Sequence, residues 1–213
     1  MMEIAMPIDR RRVLRAMRAS PWDFSNRVLY DLCRAHPAHD DESVVIAKML
    51  LIGRTYSAAI ERRKNKKQGA DTDNFYVETV GPMLRRSKID RWIAEARASR
   101  PGTQPALATM VKVHGLTTDL FCSISGLEKR ALASKYLHFH VPNLFYIYDS
   151  RAAEAIREFS SDVLRPSRSG AGDDEYRKFA ERCQHLRDLC AREFSLDLRP
   201  RHIDNLLLGF NER

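Results

Sequence analysis

The sequence predicts an all-α protein, for three reasons. Apolar residues recur every three to four positions in nearly every segment, which is the period of a helix that packs one face against a core. Asp, Ser, Thr or Pro stand where these segments begin, and Gly or Pro where they end. Only nine Gly and nine Pro occur among 213 residues, which leaves room for long helices. This length suits a single helical domain over residues 1–213. The alternative is one domain made of two small lobes that share a cleft.

In the first half of the chain, we expect four helices, at 8–19, 22–36, 41–66 and 73–99. The segment SVVIAKMLLIGRTYSAAIERR, within 41–66, is apolar over most of its circumference and becomes basic at its end. This pattern is typical of a central core helix whose C-terminus reaches solvent. The Gly81-Pro82 pair predicts a bend within 73–99, because proline interrupts the hydrogen bonds of a helix.

In the second half of the chain, we expect six further helices, at 104–114, 116–124, 127–140, 149–159, 173–194 and 200–208. A turn at Ser125-Gly126 precedes the helix 127–140, and Gly209 ends the last helix. Asp149 stands where the helix 149–159 begins, and its carboxylate predicts an N-cap there. Two short stretches, VKVHG at 111–115 and LFYIY at 144–148, also fit isolated strands.

The charge balance favours a polyanionic partner. Lys and Arg number 36 against 28 Asp and Glu, which gives a net charge of +8. Each basic cluster taken singly is typical of a solvated helix end. Together the clusters predict a surface that binds nucleic acid phosphates. The clusters are Arg10-Arg11-Arg12 with Arg15 and Arg18, Arg62-Arg63-Lys64 with Lys66-Lys67, Arg85-Arg86 with Lys88, and Arg199 with Arg201.

Several function classes lack their signatures in this chain. The four cysteines form no CxxC pair, and no apolar run approaches the length of a membrane span. His138 and His140 are two residues apart, so on a helix they point in different directions and cannot share one metal ion. We therefore expect a cytoplasmic monomer with no metal, no other cofactor, no secretion signal and no membrane partner.

Lys135 is the residue with the most suggestive surroundings. On a helical wheel its stem emerges among Leu127, Ala131 and Phe139, inside an apolar arc. Burial lowers the pKa of a lysine, and a neutral amine can attack an electrophilic carbon or form a Schiff base. Asp149, at the start of the next helix, could accept the proton. The alternative is that Lys135 only covers apolar surface with its stem and that Asp149 is only a cap.

The segment from Ser123 to Ile156 resembles a known family. Its order is a turn with Gly126, a basic helix start at Lys129-Arg130, an apolar helix, an extended connection and an Asp that opens the next helix. This order resembles the signature half of the helix-hairpin-helix DNA glycosylases. The block ASKYLHFHVPNLFYIYDSRA is also similar to bacterial and archaeal proteins related to 8-oxoguanine DNA glycosylases, as is IGRTYSAAIERR upstream.

The resemblance implies a fold and an activity. The fold would be a two-lobed helical bundle of the helix-hairpin-helix DNA glycosylase type. The activity would be excision of an oxidised purine from double-stranded DNA, with or without an associated lyase activity that cleaves the strand. Asp149 matches the catalytic Asp of the family. We expect Lys135 to be the nucleophile because its surroundings are apolar, although the family's usual spacing indicates Lys129. The turn ISGLEKR has one glycine where the family usually has two.

The resemblance also suggests residues that contact the substrate. Tyr136, His138 and His140 flank the nucleophile and are candidates to bind the damaged base. Gly126, Arg130 and Arg151 lie at the helix starts and are candidates to bind DNA phosphates.

Trp22 and Trp92 fit amphipathic patterns and are expected in the core.

Two other hypotheses about function stay open on the sequence. The rival function is a basic helical protein that binds DNA or acts in phage defence without catalysis. A nuclease is a third possibility, but no acidic cluster supports it.

Overall fold

A computed structural model describes residues 8–63, 72–159 and 173–209. Within these ranges the chain contains helices and no strand, which confirms the all-α prediction. The helices are α1 (Arg10–Ala16), α2 (Asp23–Ala35), α3 (Glu42–Thr55), α4 (Thr72–Phe75) with a π-helical turn (Tyr76–Val80), α5 (Gly81–Arg85), α6 (Ile89–Arg97), α7 (Gln104–Ser125), α8 (Arg130–His140), α9 (Ser150–Glu158), α10 (Asp174–Phe194) and α11 (Pro200–Leu208). None of these described helices is long and apolar enough to cross a membrane.

The helix α3 is shorter than predicted. It begins at the N-cap Asp41, whose carboxylate accepts hydrogen bonds from the amides of Ser43 and Val44. It ends at Thr55 rather than at residue 66, because Ser57 adopts a left-handed backbone conformation with φ 52°. The amide of Ala58 then donates to the carbonyl of Gly53 at 2.8 Å and closes the terminus. Residues 64–66 of the prediction, and the basic residues Lys64, Lys66 and Lys67, lie outside the described residues.

The segment predicted as one bent helix over 73–99 is more strongly divided. A π-helical turn precedes Gly81, where Pro82 lacks the amide hydrogen that would continue the α-helical ladder. The chain leaves the helix after Arg85 and enters α6 at Ile89, whose amide donates to the Ser87 hydroxyl at 3.2 Å. The predicted bend is therefore present, and a second break follows it.

The predicted break near Gly115 is absent. Residues 104–125 form the single helix α7, and the stretch VKVHG lies inside it rather than in a strand. A glycine within a helix costs about 1 kcal/mol relative to alanine. The buried side chains of Val113, Thr117 and Phe121 stabilise α7 on both sides of Gly115. The stretch LFYIY, which belongs to the connection from α8 to α9, is buried and has no regular secondary structure.

The helix α8 occupies the centre of the molecule. Every residue from Leu132 to His140 is buried, and α8 packs against α2, α3 and α7. This role was expected for the segment 41–66 rather than for α8. The last helix, α11, packs against α1 and α9, where the Asn205 side-chain amide donates to the Ala16 carbonyl at 3.0 Å. The end of the described chain therefore lies beside its beginning.

Candidate active site

Lys135 lies in the interior of α8, and only 4% of its surface is exposed. Burial lowers the pKa of its amine, and the negative charges of Asp149 and Asp204 oppose this shift. The ammonium also lies 5.8 Å from the centre of the Tyr56 ring, within cation–π range. A lysine in these surroundings releases its proton more readily than an exposed lysine.

Asp149 lies opposite this lysine. It is the N-cap of α9, as predicted, and its Oδ1 atom accepts a hydrogen bond from the Ala152 amide at 2.9 Å. The other carboxylate oxygen, Oδ2, lies 3.8 Å from Nζ of Lys135. The sequence prediction that the amine and the carboxylate approach each other is thus confirmed. Whether they act in catalysis is a separate question.

The connection between α8 and α9 fixes the position of Asp149. The hydroxyl of Ser134, on α8, accepts a hydrogen bond from the Tyr148 amide at 2.9 Å. The Tyr176 hydroxyl donates to the carbonyl of Tyr146 at 2.9 Å. These bonds hold the extended connection between α8 and α9 against α8 and α10. The position of the Asp149 carboxylate, which follows this connection, is therefore fixed.

Two cavities meet at this pair. The inner cavity has a volume of about 360 Å³, and its lining includes Trp22, Asn26, Tyr56, Arg201 and Asp204. The outer cleft has a volume of about 510 Å³, and its lining includes Arg62, Lys129, Arg130, Tyr148 and Ser150. Lys135, Asp149 and Arg151 line both. The amine and the carboxylate therefore belong to residues in the wall of a space of ligand size.

Lys129, the alternative nucleophile, lines only the outer cleft. Its Nζ atom donates a hydrogen bond to the Ala59 carbonyl at 2.9 Å, which ties it to the segment that follows α3. Burial and the positive charge of Arg62 lower its pKa. The geometry therefore favours Lys135, which has a carboxylate beside it, over Lys129 as the reactive amine.

Tyr136, His138 and His140 do not lie where the substrate contacts were expected. All three are buried in the core and line neither cavity. The hydroxyl of Tyr136 donates to Nε2 of His39 at 2.6 Å. His138 donates from Nδ1 to the Phe145 carbonyl. These aromatic residues of α8 therefore pack in the core, whereas Lys135 on the same helix lines both cavities.

His140 is also part of the core. Its Nδ1 atom donates to the Tyr136 carbonyl, and its ring stacks on that of His39 at 5.3 Å. Burial lowers the pKa of His140 well below the ordinary value, so this ring is neutral. A neutral, enclosed imidazole is a structural group here.

The three predicted phosphate contacts have different surroundings. Gly126 is the C-cap of α7 with φ 70°, and the neighbouring Leu127 amide donates to the Ser125 hydroxyl. Arg130 lies at ion-pair distance from Asp173, Glu128 and Glu175, which compete with a phosphate for its guanidinium. Arg151 is exposed and faces both cavities. Of the three, Arg151 is the residue best placed for an anion.

Two residues of the inner cavity were not predicted from the sequence. Asp204, on α11, is 2% exposed and pairs with Arg201, and burial raises its pKa to about 6. Trp22, expected in the core, is 54% exposed at the cavity, whereas Trp92 packs partly buried as expected. The only sequence signal for Asp204 is a carboxylate among the apolar residues of HIDNLLL, within the predicted helix 200–208.

No cluster of three or more His, Cys, Asp or Glu side chains within the described ranges is arranged to hold a metal ion. Comparisons of the chain with protein-family models, with curated proteins and with solved structures found no match.

Proposed function

We propose that this protein is a DNA glycosylase that excises an oxidised purine, of the 8-oxoguanine type, with Lys135 as the nucleophile. The observation that carries the proposal is the buried amine of Lys135 beside the carboxylate of Asp149, in the wall of two cavities. The order of elements in residues 123–156, a turn, a helix, an extended connection and a capped helix, agrees with the family that the sequence resembles.

The reaction would begin with a nucleotide that has turned out of the duplex. Nζ of neutral Lys135 attacks the anomeric carbon of the sugar, and the bond from that carbon to the base breaks. The base leaves with the electron pair of that bond and takes up a proton from water. The ammonium that forms gives a proton to Asp149, which passes it to the ring oxygen as the bond between that oxygen and the anomeric carbon breaks. The nitrogen lone pair then completes the C=N bond of a Schiff base. Asp149 also stabilises the positive charge that develops on the sugar.

The charge of the surrounding surface supports a DNA substrate. The net charge is +8, and the outer cleft contains Arg62, Lys129 and Arg151. These cations can neutralise phosphates on either side of the displaced nucleotide. The inner cavity, at about 360 Å³, has room for a planar base, and its lining includes the aromatic residues Trp22 and Tyr56.

A second candidate is a basic helical protein that binds DNA or a protein partner without catalysis. The observation in its favour is the apolar surface of α2, where Phe24 is 67% exposed and Val28 is 47% exposed. Surfaces of this kind mark interaction sites.

Borohydride trapping separates the two candidates. Duplex DNA that contains 8-oxoguanine, or a preformed abasic site, is incubated with the protein and reduced, which converts a Schiff base into a stable adduct. The proposal predicts an adduct with the unmodified protein and with Lys129→Gln, and none with Lys135→Gln. Binding of DNA without any adduct would favour the non-catalytic candidate. An adduct that Lys129→Gln alone abolishes would move the nucleophile to Lys129.

A further inference from the structure

The inner cavity has a polar end that the chemistry of Lys135 and Asp149 does not use. Asn26, on α2, and Asp204, on α11, both line this cavity. Their side chains are 4% and 2% exposed. Because α2 and α11 lie near opposite ends of the chain, only the folded protein brings these two groups into one wall.

Each of the two side chains has one polar atom satisfied and one unsatisfied. Oδ1 of Asn26 accepts a hydrogen bond from the Tyr56 hydroxyl at 2.6 Å, while its Nδ2 has no partner among the described residues. Oδ2 of Asp204 pairs with Arg201, while Oδ1 has no partner in the described part of the chain. With Oδ1 bound to the Tyr56 hydroxyl, the amide N–H of Asn26 is the free donor.

A buried donor or acceptor without a partner destabilises a protein, so such groups are uncommon, and an ordered water or a ligand is a usual partner for them. Here one free donor and one free acceptor lie in the wall of the same cavity. Neither atom has appreciable contact with solvent, so a ligand reaches them by a small displacement of the side chains that cover them. A ligand that satisfies both would recover the cost of leaving them unpaired.

The two atoms define the chemistry of that ligand. The N–H of Asn26 requires an acceptor, and the Oδ1 atom of Asp204 requires an N–H or O–H donor. The edge of a nucleobase carries both kinds of group side by side. Trp22 and Tyr56 line the same cavity, and aromatic side chains of this kind are those on which nucleobases stack.

We infer that Asn26 and Asp204 form a recognition subsite for the hydrogen-bonding edge of a nucleobase, held with its sugar directed to Lys135. The inference rests on the proposed function, because it takes the base to be the one released by Lys135. It adds that the protein selects a nucleotide that still carries its base over an abasic sugar.

The subsite is tested by calorimetric titration with 8-oxo-2′-deoxyguanosine and with 2-deoxyribose, which has no base. The unmodified protein binds the nucleoside in preference to the sugar. Asn26→Asp replaces the donor with an acceptor, and Asp204→Asn removes the ionised acceptor with little change of shape. Each substitution weakens nucleoside binding by about tenfold, since a hydrogen bond to a charged or buried group is replaced by a mismatch.

Matched controls are Asn143→Asp and Asp188→Asn, because both residues are exposed and lie outside the two cavities. Thermal unfolding checks that every variant is folded. Equal nucleoside binding by the unmodified protein and by both folded subsite variants would overturn the inference, as would the absence of binding to the unmodified protein. Trapping on abasic DNA reports on Lys135 separately. An adduct without nucleoside binding refutes the subsite alone, whereas subsite-dependent nucleoside binding without any adduct refutes the glycosylase.

Discussion

Nζ of Lys135 lies 3.8 Å from Oδ2 of Asp149, and both residues line the inner cavity and the outer cleft. The lysine belongs to the interior of α8, and the aspartate is the N-cap of α9. The distance exceeds that of a hydrogen bond, so the pair interacts through charge and the amine is not locked to the carboxylate.

The first prediction concerns the pH dependence of adduct formation. Burial lowers the pKa of Lys135 from its ordinary value of 10.5, so the neutral amine becomes available at lower pH than for an exposed lysine. Asp149 opposes this shift because it favours the ammonium. In Asp149→Asn the rise of the trapping rate with pH therefore moves to lower pH, although the maximal rate falls. A rise at unchanged or higher pH would contradict the assigned pair.

The second prediction concerns the salt dependence of DNA binding. Arg151 is exposed and faces both cavities, whereas Arg157 lies on the same helix and lines neither. A cation that contacts a phosphate adds about one to the slope of log affinity against log salt. Arg151→Ala therefore lowers this slope by about one, and Arg157→Ala leaves it unchanged. Equal slopes for the two variants, measured by fluorescence anisotropy, would remove Arg151 from the DNA contact surface.

The local parts of the site could be predicted from the sequence, and its assembly could not. Asp149 was predicted as an N-cap because capping depends on a residue and the few amides that follow it. The apolar surroundings of Lys135 follow from helix periodicity in the same way. Asp204 was missed because its place in the cavity depends on the packing of α11 against α1 and α9, which no local pattern records.

The errors in the fold have related causes. Gly115 lies inside α7 because buried residues on both sides outweigh its local preference. Tyr136, His138 and His140 were expected at the substrate because they flank Lys135 in sequence. They lie in the core because α2, α3 and α7 pack against α8 around them, and the sequence did not indicate how many neighbours α8 has.

The third prediction tests the structural role of Tyr136. Its hydroxyl donates to Nε2 of His39, whose Nδ1 donates to Asp90 at 2.5 Å. Tyr136→Phe leaves the buried imidazole nitrogen without its donor and lowers the free energy of unfolding by about 1 to 3 kcal/mol. Denaturant unfolding measures this loss. At a temperature where the variant is folded, we expect it still to form the borohydride-trapped adduct. Loss of the adduct in a folded Tyr136→Phe variant would indicate that Tyr136 contacts the substrate.

The fourth prediction concerns Asp204 and stability. Burial raises its pKa to about 6 in the folded protein, from 3.8, so the folded state holds the proton more tightly than the unfolded state. The stability associated with this group is therefore greatest below pH 3.8 and is lost as the pH rises to about 6. Between pH 4 and pH 7.5, the free energy of unfolding of Asp204→Asn therefore rises by on the order of 2 to 3 kcal/mol relative to that of the unmodified protein. Parallel stability curves for the two proteins would show that Asp204 does not titrate in this range.

The most direct test of the account is to locate the trapped sugar on the chain. The borohydride-reduced adduct with abasic-site DNA is digested with nuclease and protease, and the modified peptide is sequenced by mass spectrometry. The account predicts a sugar remnant on the side chain of Lys135. A remnant on Lys129 or on the N-terminal amine, with Lys135 unmodified, would contradict it.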